Sequence, residues 1–260
     1  MSFLNEIIEN RKETITDIIE NYKEAKKIPS KSRQFYNSII NNKIISIISE
    51  IKFASPSMGN IREKIPIKKI IDAMELGGVV GFSVLTEPNY FKGSPEFISK
   101  IREVSNTPIL MKDFFLHDSQ FYFAADLDVN MVLIVVSALD RILIERFIKL
   151  ANELNLETLV EVHDESDIIK IIGLDLKIIG INNRNLTDFS IDLNTTKKLI
   201  PIIKKNFPKS IIISESGVKT REDVEFLTEA GADAILVGTS IMQASDITKK
   251  IFELKGETRG

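Results

Sequence analysis

Eight apolar segments rich in β-branched residues alternate with eight segments of helical periodicity along this chain. The apolar segments, predicted to be strands, lie at about 44–52, 79–85, 108–112, 130–136, 158–162, 177–182, 210–215 and 233–238. The helical patterns that follow them lie at about 66–76, 95–104, 119–126, 141–154, 165–172, 193–205, 221–230 and 244–254. Near-continuous apolar segments suit parallel strands that are buried on both faces. The chain is therefore predicted to be an α/β protein.

The number and size of these units indicate a closed barrel. Eight βα units over about 210 residues match a (β/α)8 TIM barrel. The alternative is a doubly wound open sheet, which would favour a G-x-G-x-x-G turn after the first strand, and that turn is missing. No linker or break in composition divides the chain, so we expect one barrel domain over residues 1–260.

Helix-entry signals precede several of the predicted helices. They are Ser94 before Pro95, then Asp118, Asp140, Asp164 and Asp192, and finally Thr220 with Asp223 three residues later.

An N-terminal helical extension, residues 1–43, precedes the first strand. Apolar residues recur on a helical period from Leu4 to Tyr22, and a second short helix is predicted from Arg33 to Ile40. The apolar stripe consists of Leu4, Ile7, Ile8, Ile15, Ile18, Ile19 and Tyr22. We expect the extension to pack this stripe on the barrel and to roof part of its mouth.

Charge and composition exclude several classes of function. The net charge is only −3, and the basic residues are scattered, so neither nucleic acid nor a membrane surface is an expected partner. The chain has no Cys, which rules out disulfides, thiolate zinc sites and a cysteine nucleophile and suits the cytoplasm. The longest apolar run, Met131–Leu139, is too short to span a bilayer.

A charged pair lies at the end of the first predicted strand. Glu50 and Lys52 are two residues apart and therefore share one face of the strand. Charges inside an apolar strand are costly to bury without partners, so a polar cavity at this strand end is one explanation. The alternative is an exposed edge strand with a surface ion pair.

Other polar residues also lie at strand ends. In a barrel, all eight carboxyl-terminal strand ends surround one mouth, where barrel enzymes have their active sites. The residues at these ends are Lys112, Glu161, Asn182, Arg184, Glu215 and Gly238. Three carboxylates, two lysines and Arg184 would thus converge on one pocket.

The last two units carry a phosphate-binding pattern. Ser216 and Gly217 follow the seventh strand, and Gly238 and Thr239 follow the eighth. Barrel enzymes commonly bind a phosphate at this place, on free N–H groups at helix starts. One such glycine could merely permit a tight turn, but two in consecutive units favour a phosphate site.

Seven motifs carry a family resemblance. In order, they are EIKFASPSMG, LTEPNYFKGS, PILMKDF, LVEVHD, GINNRNL, ISESGV and LVGTSIM. They closely resemble indole-3-glycerol phosphate synthase, a tryptophan-pathway enzyme family, from about residue 44 to 245, and the N-terminal extension matches in position. The resemblance implies conversion of 1-(2-carboxyphenylamino)-1-deoxyribulose 5-phosphate into indole-3-glycerol phosphate, carbon dioxide and water. It implies no cofactor and no metal.

The resemblance also implies roles for five catalytic residues. Lys112 would be the general acid that protonates the ribulose carbonyl oxygen. Glu161 would take protons or stabilise iminium-like intermediates, and Asn182 would hydrogen-bond the sugar hydroxyls. Lys52 would hold the substrate carboxylate, and Glu50 would pair with Lys52 and assist the dehydration. Which lysine serves which proton step stays open.

The same resemblance implies the binding residues. Arg184 and Glu215 would complete the polar shell, and Phe114 would face the anthranilate ring. The implied phosphate-binding residues are Lys52, Ser55, Ser216, Gly217, Gly238 and Thr239. The chain departs from the family at Phe53 and Met58, where relatives often have basic residues, and at Thr239, where Ser or Glu is common.

The implied role of Lys112 as a general acid sets a condition on its pKa. A lysine donates a proton near neutral pH more readily if burial or neighbouring cations lower its pKa. We expect crowding with Lys52 and Arg184 to lower the pKa of Lys112.

Two other functions compete with the synthase. A related sugar-phosphate barrel, such as phosphoribosylanthranilate isomerase, would share the phosphate site but would not need Glu50 and Lys52. A barrel without catalytic activity that binds a phosphorylated metabolite as a regulator should lack Lys112 or Glu161, and both are present. The expected partner is a small phosphorylated substrate. A monomer is expected, with a weak homodimer left open.

Overall fold

The computed structural model describes residues 3–29, 35–42, 44–55, 59–61, 66–186 and 188–257, and of Ser55 and Asn60 only the backbone. The strands are β1 (Ser46–Ile51), β2 (Ala54–Ser55), β3 (Gly59–Asn60), β4 (Gly81–Leu85), β5 (Ile109–Lys112), β6 (Met131–Val135), β7 (Glu157–Val162), β8 (Ile178–Asn182), β9 (Ile211–Glu215) and β10 (Ala234–Val237). The helices are α1 (Phe3–Thr14), α2 (Thr16–Asn21), α3 (Phe35–Ile40), α4 (Ile67–Leu76), α5 (Glu96–Arg102), α6 (Asp118–Asp126), α7 (Arg141–Glu153), α8 (Glu165–Ile171), α9 (Asn194–Asn206), α10 (Arg221–Glu229), α11 (Thr239–Gln243) and α12 (Ile247–Lys255).

Eight parallel strands close into a barrel, as predicted. The closed order is β1, β10, β9, β8, β7, β6, β5 and β4, with β4 pairing back to β1. The short strands β2 and β3 form a separate antiparallel pair after β1. Because β1 pairs on both sides, the edge-strand explanation of Glu50 and Lys52 is wrong. The alternation of strands and helices is confirmed, and α11 is an additional short helix before α12.

The strand register brings the predicted polar positions to one end of the barrel. Asn182 pairs with Glu215, and Glu161 pairs with Gly180 on the neighbouring strand. Lys112 is the last residue of β5, and Glu50 is the penultimate residue of β1. Since parallel strands all end on the same side, these side chains share one mouth.

Two layers of apolar residues hold the barrel together. Residues such as Ile48, Leu133 and Leu159 fill its interior. Their neighbours, such as Ile47 and Ile134, point outward and pack against the surrounding helices. This alternation follows from the two-residue period of a strand.

Helix α3 closes the amino-terminal end of the barrel. Phe35 and Ile39 belong to the interior cluster, and the Phe35 side chain is fully buried. A Cβ atom on Gly81 would lie 2.1 Å from the Phe35 ring, so glycine is needed there for the ring to fit. The Glu157 carboxylate accepts hydrogen bonds from the backbone N–H groups of Phe35 and Tyr36. This second part of the extension is therefore an integral part of the barrel core.

The first part of the extension differs from its prediction. One helix was expected from Leu4 to Tyr22, but α1 and α2 are separated at Ile15. Leu4, Ile7 and Ile15 are buried, whereas the rest of the predicted stripe is only partly buried. Arg11 is also buried, because α1 covers polar groups at the barrel mouth as well as apolar ones.

Three of the predicted helix starts are confirmed. Asp140 and Asp164 accept backbone hydrogen bonds at the starts of α7 and α8. Thr220 and Asp223 form a capping box at α10.

Three helix starts differ in detail. At α6 the N-cap is His117, one residue before the predicted Asp118, because His117 Nδ1 accepts the Ser119 N–H. At α9 the N-cap is Leu193, with Asp192 accepting a hydrogen bond from the Asn194 N–H. At α5 the Ser94 Oγ accepts the Glu96 N–H although Pro95 is the N-cap.

No described helix combines the length and hydropathy that crossing a membrane would require.

Candidate active site

A cavity of about 470 Å³ opens at the carboxyl-terminal ends of the strands. All predicted site residues except Glu215 and Ser55 are among those that line it. The predicted lining residues are Glu50, Lys52, Lys112, Phe114, Glu161, Asn182, Arg184, Ser216, Gly217, Gly238 and Thr239. Glu215 lies behind this surface with a fully buried side chain. The side chain of Ser55 is outside the described part of the structure.

Lys112 is at the centre of the charged cluster. Its Nζ donates a hydrogen bond to Glu215 Oε2 at 2.6 Å. Glu50 Oε2 lies 3.5 Å from the same Nζ, and Glu161 Oε2 lies 4.0 Å from it. One ammonium group thus faces three carboxylates that come from three other strands.

Glu50 connects the two lysines. Its Oε1 lies 2.8 Å from Lys52 Nζ, while Oε2 faces Lys112. Burial alone would raise the pKa of Glu50, but the ammonium groups of Lys52 and Lys112 outweigh it and lower that pKa to about 2. Glu50 is therefore ionised at any physiological pH.

The expected lowering of the Lys112 pKa is wrong. Burial does favour the neutral amine, but the carboxylates of Glu215, Glu50 and Glu161 outweigh burial and raise the pKa of Lys112 above its ordinary value. The expectation counted only the neighbouring cations, whereas the fold places more carboxylates than cations around this amine. Lys112 is therefore an ammonium group at neutral pH.

Glu215 has a pKa raised well above that of an ordinary carboxyl group. Its burial raises the pKa to about 7, with Lys112 acting in the opposite direction and Glu161 adding to the rise. A Cβ atom on Gly180 would lie 2.3 Å from Glu215 Oε1, so glycine on β8 leaves the space that this carboxyl group occupies. Glu215 is therefore close to its titration point at pH 7, while Lys112 remains an ammonium group.

Asn182 and Arg184 lie at the part of the mouth that follows β8. Asn182 Oδ1 accepts the Arg184 N–H at 3.0 Å, which fixes the turn after β8. The Arg184 Nη1 donates to the Phe189 carbonyl at 3.2 Å. The Arg184 guanidinium therefore lies along the rim, half-buried, beside the cavity.

Apolar side chains form a wall and a roof over the cavity. Phe114 lies two residues after Lys112, and Phe91 comes from the loop after β4. The roof is α1, from which Phe3, Leu4 and Ile7 line the cavity. This confirms that the extension covers part of the mouth. The apolar wall is suited to a planar aromatic group.

Several contacts fasten α1 to the rim. Phe3 makes edge contacts with the Tyr90 and Phe189 rings at 5.4 and 4.7 Å. Tyr90 Oη donates to Glu6, and Asn89 donates to Asn10. The roof is thus held by loops from two different strands.

A buried ion pair joins α1 directly to the residue after Lys112. Arg11 Nε and Nη2 donate to Asp113 Oδ1 and Oδ2, each at 2.7 Å. Asp113 also accepts from Thr86 Oγ1 and from the Phe114 N–H. One carboxylate thereby links the roof, the β4 loop and the turn that carries Lys112 and Phe114.

The loops after β9 and β10 carry the residues predicted to bind phosphate. Ser216 and Gly217 both have positive φ values, 66° and 101°. Ser216 is not glycine, so its left-handed backbone is strained, which is common at functional sites. Lys219 and Ser240, which the sequence analysis did not single out, line the same part of the cavity.

The departures from the family pattern are only partly described. Phe53 is buried and packs against Phe97, with 5.3 Å between ring centroids, so it belongs to the core. Met58 lies outside the described residues. Thr239 lines the cavity as the first residue of α11.

The sequence analysis also gave no role to His163, a polar residue beside Glu161. His163 Nε2 lies 3.3 Å from Glu161 Oε1. The sequence did contain an indication of this contact. His163 is two residues after Glu161, and side chains two residues apart in an extended segment point to the same side.

The comparisons with known proteins agree with this geometry. The family model for indole-3-glycerol phosphate synthase matches residues 4–254. An indole-3-glycerol phosphate synthase from Acetivibrio thermocellus is 39% identical over 250 residues, which are 95% of each chain. One from Campylobacter fetus subsp. fetus is 42% identical over 213 residues, covering 82% of this chain and 81% of the relative.

A solved structure supports the fold independently. A chain of a tryptophan synthase complex from Pyrococcus furiosus superposes with a TM-score of 0.61 and 15% identity, covering 82% of this chain and 99% of that chain. At this identity the likeness shows the barrel fold alone. The family model and the curated relatives, by contrast, extend over nearly the whole sequence, and the chain belongs to the indole-3-glycerol phosphate synthase family.

Proposed function

We propose that the cavity converts 1-(2-carboxyphenylamino)-1-deoxyribulose 5-phosphate into indole-3-glycerol phosphate, carbon dioxide and water. The observation that carries this proposal is the convergence of Lys112 with three carboxylates beside Lys52, under an apolar roof. A substrate with a carboxylate, a phosphate, an aromatic ring and a carbonyl needs all of these groups in one pocket.

In the first step, Lys112 is the general acid. The ring carbon that bears the carboxylate attacks the ribulose carbonyl carbon, and the carbonyl oxygen gains negative charge. An alkoxide is more basic than an amine, so a lysine with a raised pKa still protonates it in the transition state. Glu215, with a pKa of about 7, is placed to return a proton to Lys112.

In the second step, the substrate loses carbon dioxide. Lys52 holds the carboxylate until the C–C bond breaks, and the electron pair of that bond restores the aromatic ring. Glu50 keeps Lys52 in place at 2.8 Å. The apolar wall with Phe114 holds the ring in position and excludes water.

In the third step, the new ring loses water. Glu161 takes a proton from the former sugar C1, and the hydroxyl leaves with a proton from one of the two lysines. Asn182 orients the remaining sugar hydroxyls. Over the whole reaction one proton is taken up from solvent, because the carboxylate leaves as neutral carbon dioxide.

For the phosphate, we propose the loops after β9 and β10 with Lys52. The supporting observation is that Ser216, Gly217, Gly238 and Thr239 all line the same cavity as Lys52. A Cβ atom on Gly238 would lie 3.0 Å from Lys52 Nζ, so the ammonium group lies directly over this glycine. Ser55 remains a proposed phosphate ligand on the resemblance alone.

The direct test follows indole fluorescence when the purified protein is mixed with the proposed substrate, without added metal or cofactor. Turnover is expected, and it should survive a chelator. A folded protein that gives no indole product would refute the proposal. Isomerisation of phosphoribosylanthranilate instead would favour the competing sugar-phosphate barrel.

Replacing Gly238 with Val is expected to impair both substrate binding and catalysis. Losing one charge-assisted hydrogen bond to the phosphate should raise KM by roughly 10- to 150-fold. The new Cβ would also lie 2.6 Å from Glu50 Oε1 and 2.9 Å from Lys52 Cε, so kcat should fall too. Steady-state kinetics and competition by inorganic phosphate measure the two effects.

The wild-type protein supplies the comparison for this variant. Inorganic phosphate should compete with substrate in the wild type and compete much more weakly in Gly238→Val. If a folded Gly238→Val protein keeps a normal KM, Gly238 is a turn residue and not part of a phosphate site.

We also propose a monomer acting in the cytoplasm. The described residues of a single chain supply lysines, carboxylates and an apolar wall to the cavity. The absence of Cys suits a reducing compartment.

A further inference from the structure

His163 is a buried titratable group to which the mechanism above gives no role. It follows β7, two residues after Glu161, and its side chain is 12% exposed. Neither ring nitrogen makes a hydrogen bond of ordinary geometry with the described residues. Buried polar groups normally make hydrogen bonds, so a buried imidazole without them requires an explanation.

Carboxylates lie at both ends of the imidazole ring. On one side, Nε2 is 3.3 Å from Glu161 Oε1. On the other, Nδ1 is 3.5 Å from Asp167 Oδ2, in the first turn of α8. The same Asp167 oxygen accepts the His163 N–H at 3.0 Å, which fixes the backbone and the ring relative to α8. The imidazole therefore bridges a structural carboxylate and a catalytic one.

Glu161 is the most distant of the three carboxylates that face Lys112, the others being Glu50 and Glu215. Lys112 is far closer to Glu215, at 2.6 Å, than to Glu161, at 4.0 Å. Of the three carboxylates, Glu161 thus has the weakest interaction with Lys112.

The other charged groups around His163 are also known. Asp167 faces Lys170 at 3.8 Å, and Asp164 at the start of α8 lies close enough for its pKa to be lowered in part by His163. Glu215 adds a more distant negative charge from β9. Burial by itself would lower the pKa of His163, but Asp167, Glu161 and Glu215 outweigh it and raise that pKa.

We propose that His163 is a positioning residue that, as an imidazolium held by Asp167, orients Glu161 and pairs with the negative charge of its carboxylate before proton abstraction. The proposal rests on the role of Glu161 as the base of the dehydration step. The imidazolium does not touch the substrate and gives up no proton in the cycle. Glu161 alone accepts the proton from the former sugar C1 and later releases it.

The kinetic test compares the pH profiles of kcat for the wild type and for His163→Gln. Gln retains an N–H donor near Glu161 but has no positive charge. The acidic limb of the profile should move to higher pH by about one unit, because an uncharged neighbour no longer opposes protonation of the carboxylate. At the optimum, kcat should fall about tenfold, with KM little changed. Asp167→Asn should shift the limb in the same direction.

The matched control is the only other histidine of the chain, His117. It caps α6, away from the cavity, and Asn preserves capping. His117→Asn should leave the acidic limb unchanged. A purely structural role of His163 would lower activity equally at all pH values, and this result would overturn the proposal.

A second measurement does not depend on turnover. With His117→Asn, a single imidazole remains for NMR titration, and it should titrate above the ordinary histidine value of about 6.5. Adding Glu161→Gln should lower this titration point, since the coupling between the two groups is reciprocal. Titration at or below the ordinary value, or no response to Glu161→Gln, would refute the proposal even if the protein proved inactive on the proposed substrate.

Discussion

Lys112→Ala and Glu161→Gln are each expected to lower kcat by about 10²- to 10⁴-fold, the range for removing a positioned acid or base. Lys112 is the only amine within 4.0 Å of Glu161 among the described ion pairs, and it also faces Glu50 and Glu215. Its loss removes the proton donor and leaves three neighbouring carboxylates. Stopped-assay kinetics with saturating substrate measure the effect.

The fold should survive both substitutions. Glu215 has a pKa of about 7, so it can remain buried as the neutral acid once Lys112 is gone. Glu161→Gln keeps the shape of the side chain and removes only its charge. Circular dichroism and thermal melting are expected to show a folded barrel in each case, which separates lost chemistry from lost structure.

Matched controls come from an exposed pair on α7. Lys149 and Glu153 are 81% and 60% exposed and lie 4.0 Å apart. Lys149→Ala and Glu153→Gln make the same chemical changes far from the cavity, and they should change kcat less than twofold, because exposed ion pairs contribute little. Decreases under tenfold for both Lys112→Ala and Glu161→Gln would remove these residues from the proposed mechanism.

The barrel could be predicted from the sequence because its signals are local. Each strand is an apolar segment bounded by turn residues, and each helix has its own period and cap. Eight repeats of one unit leave few alternatives for closure. The positions of Lys112, Glu161 and Glu215 followed from the same rule, since parallel strands end at one mouth.

The electrostatics of the site could not be predicted in the same way. The pKa of Lys112 depends on which charged side chains point toward its ammonium group, at distances between 2.6 and 4.0 Å. Sequence spacing places residues on a strand face but does not give these distances. The prediction that neighbouring cations lower this pKa failed because Glu215, Glu50 and Glu161 are the nearer partners.

The docking of the N-terminal extension was only partly predictable. An apolar stripe shows that a helix must pack on something, but not on which surface. Arg11 on α1 was not part of the predicted stripe, although its side chain is buried inside the contact. A charged residue on the apolar face of a helix indicates an oppositely charged partner on the surface against which the helix packs.

Replacing Arg11 with Met is expected to destabilise the protein by about 3–5 kcal/mol, as for other buried ion pairs that lose one partner. Met fills a similar volume, so the loss comes mainly from Asp113, which would be left buried without its bidentate donor. Urea unfolding measures the free energy. Arg11→Lys should fall between the two proteins, because lysine keeps the charge but makes no bidentate contact.

The substitution should also affect the reaction. Asp113 accepts the Phe114 N–H at 2.8 Å and follows Lys112 directly, so a displaced carboxylate would disturb both the acid and the apolar wall. We expect a higher KM and a lower kcat at temperatures where Arg11→Met is still folded. Lys12→Met is the matched control, since the Lys12 side chain is 56% exposed and pairs only with Glu9 among the described ion pairs.

A double substitution decides whether the stability loss comes from the unpaired charge. Asp113→Asn removes that charge while its amide oxygen can still accept the Phe114 N–H, so Arg11→Met with Asp113→Asn should recover part of the loss. If the double variant is as unstable as the sum of the single variants, the two residues do not interact energetically. If Arg11→Met and Lys12→Met are equally stable, α1 is held on the barrel by its apolar contacts, and the buried pair contributes no stability.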